Sequence, residues 1–387
     1  MKLLILGRSY PEVETGMVGI FEYEQAQAVS NLSENKISIL YSFCDNRSIF
    51  RLRRINSILK NDSSIVTYGK YFPIGGVPNR IFDKIKSKLS VNMLRKAIIK
   101  LGKPDAIHIH FPIITLTEEI WEYLVSLGSK IVITEHYSRV QNKELTVQQI
   151  ELLRKIAKRA DKFLCVNEFL PKSIEELTGV QRDFIIVPNV VAPIFSREKE
   201  TKNDVYRFIS IGRLVKDKKF DLVIEAFVKK FKDVTNVELI IVGGGEEYTN
   251  LKKQIVSLNM EHKIRLTGFL KREETAQILA SSNSYVTASS FETFGVPLVE
   301  AMSCGKPVIS ADTSPLKQYI SEERGFLFKV DNLESLASAM EKMYEQRFIN
   351  KSYEIAEFAK MNFSERAIAE KLFSIYSSCI NKEVNKE

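Results

Sequence analysis

The sequence alternates short runs rich in β-branched residues with longer segments of helical periodicity, and it does so twice along 387 residues. Such alternation is typical of α/β domains in which a parallel sheet carries helices on both faces. In the first half the predicted strands lie at 2–6, 36–41, 65–67, 105–110, 130–134, 162–166 and 184–187, and the predicted helices at 20–33, 80–101, 116–128, 146–160 and 169–178. In the second half the predicted strands lie at 206–211, 237–242, 263–267, 284–287, 307–310 and 325–328, and the predicted helices at 219–231, 246–259, 272–281, 296–304 and 333–346. The pattern predicts two doubly wound, Rossmann-like domains.

The domain boundaries follow from where this periodicity stops. A polar stretch predicts a linker over 192–203, between a first domain at 1–191 and a second at 204–363. The last amphipathic segment, about 364–387, is expected to form a helix that crosses back to the first domain. Ligands of open α/β sheets bind outside the carboxyl ends of the strands, so we expect a binding site in a central cleft that both domains face.

Basic residues are concentrated in one segment of the first half. The formal net charge of the chain is +8, and residues 47–103 hold 14 Lys and Arg against 2 Asp. Apolar residues at helical spacing within this segment predict an amphipathic basic helix over 80–101. Two interpretations stay open. The helix packs its apolar stripe on the core and exposes its charged face to solvent, or its charged face docks on an anionic bilayer.

The same composition bears on the cellular compartment. No apolar run approaches the ~18 residues that a membrane span needs, and the 4 cysteines lie far apart without a paired spacing. These features predict a cytoplasmic protein, which would be peripheral on the inner face of the cell membrane if the basic segment docks there.

The strongest chemical signal lies at 289–309, which is predicted to run from a strand end through a loop into a helix. Pro297 suits the first turn of that helix. Free N–H groups at the helix start would form an anion site, with Glu292 before it and Glu300 after it. A carboxylate beside a phosphate is repulsive unless it accepts hydroxyl donors, so the pair indicates a ligand that carries both phosphate and sugar hydroxyls. Without the Gly and Pro context, a capping acid and a solvent-facing Glu would explain the two residues better.

A second segment, 211–220, places a glycine and two cations after a predicted strand and before a helix. Gly212 follows the strand, and Arg213 and Lys218 stand five residues apart. Two fixed positive charges suit a diphosphate, which needs counter-charge when it leaves bulk water. By itself, this segment is more typical of a solvated basic loop.

Together the two segments resemble the signature of the retaining group-one glycosyltransferases of the two-Rossmann GT-B type, of the kind that acts in bacterial cell-surface polysaccharide synthesis. That signature is a Gly-Arg-Leu-x3-Lys element followed by Glu-x7-Glu, and the resemblance is strongest across 205–310. It implies that Arg213 and Lys218 contact the donor diphosphate. It also implies that Glu300 binds the ribose hydroxyls and that Glu292 binds the transferred sugar.

The resemblance implies further donor-binding residues in the second half. They are the glycines of the strand-end turns, the loop that packs the nucleobase and the helix start, namely Gly212, Gly243, Phe269, Leu270, Phe294, Gly295 and Val296. One departure is visible, because Lys219 stands where the family usually has a glycine after the donor lysine. This extra cation either adds a contact to the diphosphate or points to solvent.

In the first half the resemblance implies that His136, at a predicted strand end, is the family's cleft histidine near the reacting carbon. Gly16 and Gly19 resemble the glycine loop under the donor phosphates, and Tyr10 and His110 are expected on the acceptor side. Alone, a strand-end histidine is more often a packed residue, and the glycine loop would suit an ordinary connection. His108 and His110 alternate on one strand, but without a third ligand they do not predict a metal site.

The implied reaction is metal-independent hexosyl transfer with retained configuration, from a UDP- or GDP-sugar to the hydroxyl of a glycan or lipid-linked glycan. His136, Arg213, Lys218 and Glu292 are the predicted catalytic residues. The chain lacks the Asp-x-Asp pair with which other glycosyltransferases hold a divalent ion, and no cofactor is expected. The alternatives are a soluble small-molecule acceptor, a GT-B nucleotide-sugar epimerase and, from another class, a basic nucleic-acid-binding protein. Nucleic acid is not expected as a partner, because the charge is confined to one segment without a recognition helix or stacking aromatics.

Overall fold

Two separate β-sheets organise the chain, one in each half. The computed structural model describes residues 1–11, 17–32, 37–46, 56–62, 65–72, 77–197, 204–348 and 351–381. The strands of the first sheet are β1 (Lys2–Leu6), β2 (Ser38–Asn46), β3 (Asn56–Asp62), β4 (Ile65–Phe72), β5 (Ala106–His110), β6 (Lys130–Glu135), β7 (Lys162–Cys165) and β8 (Phe184–Ile186). The strands of the second sheet are β9 (Tyr206–Ile211), β10 (Val237–Val242), β11 (Ile264–Gly268), β12 (Ser284–Val286), β13 (Val308–Ala311) and β14 (Gly325–Phe328).

Helices connect most of these strands. In the first half they are α1 (Ile20–Leu32), α2 (Asn79–Leu101), α3 (Pro112–Thr115), α4 (Glu118–Ser126), α5 (Ser138–Gln141), α6 (Val147–Arg159) and α7 (Phe169–Thr178). In the second half they are α8 (Phe220–Phe231), α9 (Tyr248–Ser257), α10 (Arg272–Ala280), α11 (Val296–Ser303), α12 (Leu333–Gln346), α13 (Ser352–Phe363) and α14 (Glu365–Ile380).

The strand order confirms the predicted fold class. It is β3-β4-β2-β1-β5-β6-β7-β8 in the first sheet and β11-β10-β9-β12-β13-β14 in the second. Neighbouring strands in the described residues run parallel, apart from the antiparallel pair of β3 with β4. Each half is therefore a doubly wound α/β unit of the Rossmann type. The edge strand β3 and the helices α3, α5 and α13 were not predicted.

The chain divides into two compact units, Met1–Val190 with the chain from Glu365 onward, and Val191–Ser364. The described part of the segment predicted as a linker, residues 192–197, lies in the second unit. Helix α14 packs in the core of the first unit, where Ile368, Leu372 and Tyr376 are completely buried. In the described residues, no helix is both long enough and apolar enough to span a bilayer.

Parallel pairing determines where functional side chains can meet within each unit. In a parallel sheet all strands point the same way, so the loops that follow them emerge at one edge. In the first unit this edge carries Arg8 after β1, Phe111 after β5 and His136 after β6. In the second unit it carries the loops that begin at Gly212 and Gly243.

Candidate functional site

Backbone crowding explains the glycine turn where β9 and β10 end. Gly243 has φ +149°, and a Cβ atom there would lie 1.8 Å from the carbonyl oxygen of Gly212. No side chain fits in that space, and L residues rarely adopt this conformation. The amide of Gly212 donates to the carbonyl of Val242 at 3.0 Å, and that of Leu214 donates to Gly244 at 3.0 Å. Hydrogen bonds therefore hold the two strand ends together, and their surface consists of main-chain atoms without side chains.

A cavity of about 230 Å³ lies at these strand ends. The predicted residues that line it are Gly212, Arg213, Gly243, Phe269, Leu270 and Glu300. The other lining residues are Phe195, Ile211, Val242, Gly244, Arg272 and Thr275. The structure thus brings six predicted residues to one site, which combines glycine backbone, apolar side chains, two arginines and one carboxylate.

An ion pair holds the carboxylate of this cavity. Nη2 of Arg272 donates to Oε1 of Glu300 over 3.2 Å, and the guanidinium carbon of Arg272 lies 5.3 Å from the ring centroid of Phe195. The side chains of Glu300 and Arg272 are 8% and 23% exposed, so the pair is largely shielded from water and its charge-assisted bond is strong. Sequence reasoning missed Arg272. The sequence feature that could have identified it is a cation at the first position of a helix, where the helix dipole disfavours positive charge.

Lys218 and Glu292 form a second ion pair, which joins the two signature segments. Nζ of Lys218 donates to Oε1 of Glu292, and both side chains are about one-fifth exposed. The amide of Ser290 donates to the carbonyl of Asp217 at 3.1 Å, which ties the two loops at the backbone as well. Neither Lys218 nor Glu292 lines the 230 Å³ cavity. The structure therefore places them together, but not against Glu300.

Lys219 does not reinforce Lys218. It adopts a left-handed conformation with φ 50°, and its Nζ lies 3.1 Å from the carboxylate of Asp331. A left-handed residue at this position explains why a glycine is favourable here. The side chain is directed to Asp331, so the expectation that it adds a contact to a diphosphate has no support in this geometry.

Helix α11 begins next to Glu292. Gly295 precedes it with φ +88°, and Pro297 stands in its first turn. Phe294 is buried and packs edge-on against Phe363, with ring centroids 6.1 Å apart. The first N–H groups of a helix have no intrahelical acceptor. The amides from Phe294 to Val296 are therefore well placed for an anion.

A larger cavity of about 490 Å³ lies elsewhere in the second unit. Its lining includes Lys216, Asp217, Lys219 and Glu247, and none of the predicted site residues. Both acids and bases line it, which gives no preference for a phosphate ligand.

In the first unit, three buried imidazoles gather where β5 and β6 end. The rings of His108 and His110 lie 4.1 Å apart on one face of β5, as their alternation predicts. Nδ1 of His110 lies 3.0 Å from Nε2 of His136. His108 is bonded on both sides, to the hydroxyl of Tyr376 at 2.7 Å and to that of Thr134 at 2.6 Å.

Burial keeps these histidines neutral. It lowers the pKa of His108, His110 and His136 well below the ordinary value, and the nearby charge of Arg8 lowers that of the last two further. Nε2 of His110 is buried without a hydrogen-bond partner in the part of the chain that the structure describes. Nδ1 of His136 is also buried, and the side chain of Asn189 lies close enough to His136 to raise its pKa slightly against the effect of burial. In a neutral pair joined by one hydrogen bond, one outer nitrogen carries a proton and the other a lone pair. The pair can therefore offer a hydroxyl group one donor and one acceptor.

Phe111 connects His136 to Arg8. Its ring stacks on the imidazole of His136 at 4.5 Å and 14°, and the guanidinium of Arg8 lies 3.5 Å from its centroid. Arg8 is itself paired with the buried Glu22 at 2.7 Å. Phe111 has φ +48°, a conformation that costs a non-glycine residue of order 1–3 kcal/mol and persists where the surroundings fix it. Sequence reasoning missed both Arg8 and Phe111.

The carboxyl of Glu135 is buried beside the histidines. Its Oε1 accepts from the amides of His136 at 2.9 Å and Tyr137 at 2.8 Å. Burial raises the pKa of Glu135 to about 7, although these two bonds and the charge of Arg8 act in the opposite direction. Its Oε2 has no hydrogen-bond partner among the described residues.

The remaining predicted residues of the first unit follow β1. Gly19 has φ +92°, and a Cβ atom there would lie 2.2 Å from the carbonyl oxygen of Ser9, so only glycine fits. Tyr10 packs against the rings of Tyr23 and Phe43. Gly16 lies outside the described residues. Within those residues, no three His, Cys, Asp or Glu side chains are grouped so that they could hold a metal ion.

Two family models match the chain. One, described as "Glycosyl transferases group 1", matches residues 193–361. The other, described as "Glycosyltransferase Family 4", matches residues 59–195. The matched regions overlap at 193–195, and they cover both sheets apart from β1, β2 and the first three residues of β3.

Individual proteins are similar over most of this length. The phosphatidylinositol N-acetylglucosaminyltransferase GPI3 subunit of Saccharomyces cerevisiae is 23% identical over 344 residues, which cover 86% of this chain and 72% of that protein. Sucrose-phosphate synthase from Thermosynechococcus elongatus has a TM-score of 0.78 at 16% identity, over 99% of this chain and 100% of that one. Anabaena Alr3699/HepE, solved in complex with UDP and glucose, has a TM-score of 0.70 at 16% identity, over 98% and 100% of the two chains. Both structures share the fold of this chain.

Proposed function

Because the chain is a group-one glycosyltransferase of the GT-B type, we propose that it transfers a hexosyl group from a UDP- or GDP-sugar to an acceptor hydroxyl. The main support for the proposal is the 230 Å³ cavity, which is lined by Arg213, by Glu300 and by the backbone of Gly212 and Gly243. A nucleoside diphosphate needs these three features: cationic charge, an acceptor for ribose hydroxyls, and room for phosphate against the main chain.

The donor nucleotide is held in the second unit. Phe269 lines the cavity with 71% of its surface exposed, so its ring is available to a nucleobase. Glu300 accepts the ribose hydroxyls, and the diphosphate lies along the backbone at Gly212 and Gly243. The Anabaena protein of the same fold was solved in complex with UDP, which supports a nucleotide as a ligand of this fold.

The leaving diphosphate is stabilised by fixed charge. Arg213 is exposed at the cavity, Lys218 stands on the turn that follows, and the first N–H groups of α11 have no acceptor within the helix. These groups supply the stabilisation that a divalent ion gives in other transferases, so we expect that a chelator leaves the rate unchanged. Loss of one such donor costs on the order of 10²–10³ in rate.

Glu292 is the contact of the transferred sugar. Its carboxylate is paired with Lys218, which favours acceptance of sugar hydroxyls over attack at the anomeric carbon. The bond from that carbon to the diphosphate breaks, the acceptor oxygen bonds from the same face, and its proton passes to the leaving phosphate oxygen. The configuration is therefore retained, in line with the family resemblance. We assign to His136 and to its hydrogen-bonded partner His110 the role of binding hydroxyl groups of the sugar and the acceptor.

The acceptor is a glycan or a lipid-linked glycan of bacterial polysaccharide synthesis. The basic segment of the first unit supports an anionic, lipid-bound acceptor. The name of the yeast relative, a transferase acting on phosphatidylinositol, is consistent with an acceptor at a membrane.

The experiment is a donor screen followed by an acceptor test. Thermal stabilisation by UDP, GDP, ADP and their sugars identifies the donor, and release of nucleoside diphosphate is then measured with and without acceptor. We expect stabilisation by one diphosphate and release that depends on acceptor. Release without acceptor together with an isomerised sugar would identify an epimerase, and activity with soluble sugars alone would remove the lipid-linked acceptor.

A matched pair of variants tests the leaving-group assignment. Lys218→Met should lower the turnover number by about 10²–10³, whereas Lys216→Met should change it little, because Lys216 is exposed at the start of the same turn. Equal activity of the two variants would remove Lys218 from the mechanism.

A further inference from the structure

The cavity of about 490 Å³ in the second unit has the size of a ligand site, and the proposed transfer reaction gives it no role. Ligand pockets measure about 300–1,000 Å³, and this cavity is roughly twice as large as the one beside Glu300. The two cavities share no lining residue. We call the larger one the α8–α9 cavity, because its lining residues lie within 215–221, at the start of α8, and within 247–254, along α9.

Helix α9 forms one wall of the α8–α9 cavity. Glu247, Asn250, Leu251 and Gln254 line it, and their spacing of three, four and seven residues places them on one face of the helix. Leu251 is 3% exposed, whereas Asn250 is exposed and Gln254 is half-buried. Nδ2 of Asn250 donates to Oε2 of Glu247 at 3.0 Å, which orients the carboxamide. This wall therefore places polar groups around an apolar centre.

The start of α8 and the turn before it form the other wall. Asp217 and Asp221 are exposed there, and their carboxylates form no ion pair or hydrogen bond with the described residues. Among the described residues that line the cavity, Phe220 is the only aromatic one, and it is 4% exposed. A nucleobase would therefore find no ring on which to stack.

The lining offers both hydrogen-bond donors and acceptors. It holds three carboxylates, two ammonium groups and two carboxamides, and the ammonium group of Lys219 is already paired with Asp331 at 3.1 Å. A phosphate would supply only acceptors and would meet three negative charges. A polyamine would supply only donors and would meet two positive ones. A hydroxyl group both donates and accepts without charge, so a neutral ligand with many hydroxyl groups matches this lining.

We propose that the α8–α9 cavity binds a short neutral oligosaccharide. Its hydroxyl groups bond to the side chains of Asp221, Glu247, Asn250 and Gln254, and its C–H groups pack against Leu251. Because none of these residues lines the cavity beside Glu300, the site is separate from that of the donor nucleotide. The binding of the oligosaccharide does not rest on the proposed transfer reaction.

The α8–α9 cavity also reaches the turn that carries Lys218. Asp217 and Lys219, on either side of Lys218, both line it. The carbonyl of Asp217 accepts from the amide of Ser290 at 3.1 Å and from its hydroxyl at 3.2 Å. A ligand in contact with both this turn and α9 restricts the turn, so less ordering remains when a diphosphate binds. The oligosaccharide should therefore strengthen diphosphate binding, a consequence that does rest on the proposed function.

The test is calorimetric titration of maltotriose, cellotriose and N-acetylated chitotriose into the purified chain without nucleotide. At least one of them should bind. N250L/Q254L removes both carboxamides and keeps good helix-forming side chains, so it should bind the same sugar about tenfold or more weakly. The matched control is Q277L/Q346L, which replaces two exposed glutamines on α10 and α12 and should bind like the wild type.

The outcomes separate this site from its rivals. Binding that is weakened only in N250L/Q254L supports the oligosaccharide site. No binding of any of the three sugars, or equal binding by all variants, would overturn it. Spermidine or inorganic phosphate that binds more tightly than the sugars, and is weakened in N250L/Q254L, would overturn the assignment of the ligand.

A second titration tests the link to the donor site. The sugar is titrated again in the presence of the nucleoside diphosphate that binds the chain, and its affinity should rise at least about fivefold, because such coupling acts equally in both directions. An unchanged affinity would overturn the coupling. If no nucleoside diphosphate binds, the transfer reaction and the coupling both fail, whereas the oligosaccharide site is decided by the first titration alone.

Discussion

Arg272 determines, at the scale of single residues, how Glu300 meets a ligand. It joins Glu300 to the ring of Phe195 inside the cavity. Replacing Arg272 with methionine keeps an apolar side chain against Phe195 but removes the cation. A hydrogen bond to a charged group is worth about 1.5–3 kcal/mol, so we expect R272M to weaken nucleoside diphosphate binding by about 10- to 100-fold. Calorimetric titration measures the change.

Two comparisons make this prediction specific. Arg265 on β11 is exposed, so R265M should bind like the wild type. A nucleotide without 2′ and 3′ hydroxyl groups should lose much less affinity in R272M than the normal nucleotide does. Equal losses for both nucleotides would contradict a role of Arg272 at the ribose end.

Glu135 should make the stability of the first unit depend on pH. Its carboxyl has a pKa of about 7 in the folded chain and about 4.3 when unfolded. Because the folded pKa is the higher one, the contribution to stability is complete below about pH 4.3 and is lost as the pH rises through 7. The loss amounts to up to about 4 kcal/mol. Glu135→Gln has no titrating carboxyl at this position. Its unfolding free energy minus that of the wild type should therefore rise between roughly pH 5 and pH 8, where the wild type loses the contribution of Glu135.

Denaturant unfolding at several pH values measures this difference directly. The neighbouring histidines are the same in both proteins, so taking the difference removes their contribution to the pH dependence. Glu345→Gln, at an exposed position, is the control and should show no trend. A constant difference between Glu135→Gln and wild type over the whole range would argue against a buried carboxyl with a raised pKa.

The glycine turn carries the prediction at the scale of elements. At Gly243 a Cβ atom would lie 1.8 Å from backbone and φ is +149°, whereas at the next residue, Gly244, the nearest atom is the Cβ of Phe269 at 3.7 Å. Gly243→Ala must displace the end of β9 or β10, so we expect several kcal/mol of destabilisation, of order 3 or more. Gly244→Ala should cost less than about 1 kcal/mol. Thermal or denaturant unfolding compares them, and similar losses in the two variants would contradict the close approach of the strand ends.

The elements that were predicted from sequence share a strong pattern, which the missed edge strand β3 lacks. Central strands such as β1 and β10 are buried along most of their length, so their sequences, KLLIL and VELIIV, are largely apolar runs with clear ends. Among the described residues the edge strand β3 pairs only with β4, and its sequence, NSILKND, has two apolar residues between polar ones. Helix α13 had a usable signal, because Ile355, Ala359 and Phe363 recur every four residues and are all buried.

The candidate site divides in the same way. Gly212, Gly243 and Glu300 were predicted from the resemblance to the family signature, and the two glycines also follow parallel strands, whose loops emerge at one edge of a sheet. The pairing of Arg272 with Glu300 depends on side-chain directions that no local pattern encodes. The same holds for Lys218 with Glu292, since the two residues are 74 positions apart.

At the scale of the whole molecule, helix α14 follows the second unit in sequence but packs in the core of the first unit. The hydroxyl of Tyr376 on α14 is bonded to His108 on β5, 268 positions away. Tyr376→Phe leaves a buried imidazole nitrogen without this partner, which costs about 1–3 kcal/mol. Tyr353 is 61% exposed, so Tyr353→Phe should leave the unfolding free energy unchanged. If denaturant unfolding shows no difference between the two variants, the hydrogen bond across the first unit contributes nothing to stability.

The proposed transfer reaction requires that a nucleoside diphosphate binds in the cavity beside Glu300. The most direct measurement is calorimetric titration of UDP and GDP into the wild type, Glu300→Gln and the exposed control Glu246→Gln. We predict saturable binding of one of the two nucleotides, at least about tenfold weaker in Glu300→Gln and unchanged in Glu246→Gln. No binding of either nucleotide to the wild type, or binding that Glu300→Gln leaves unaltered, would contradict it.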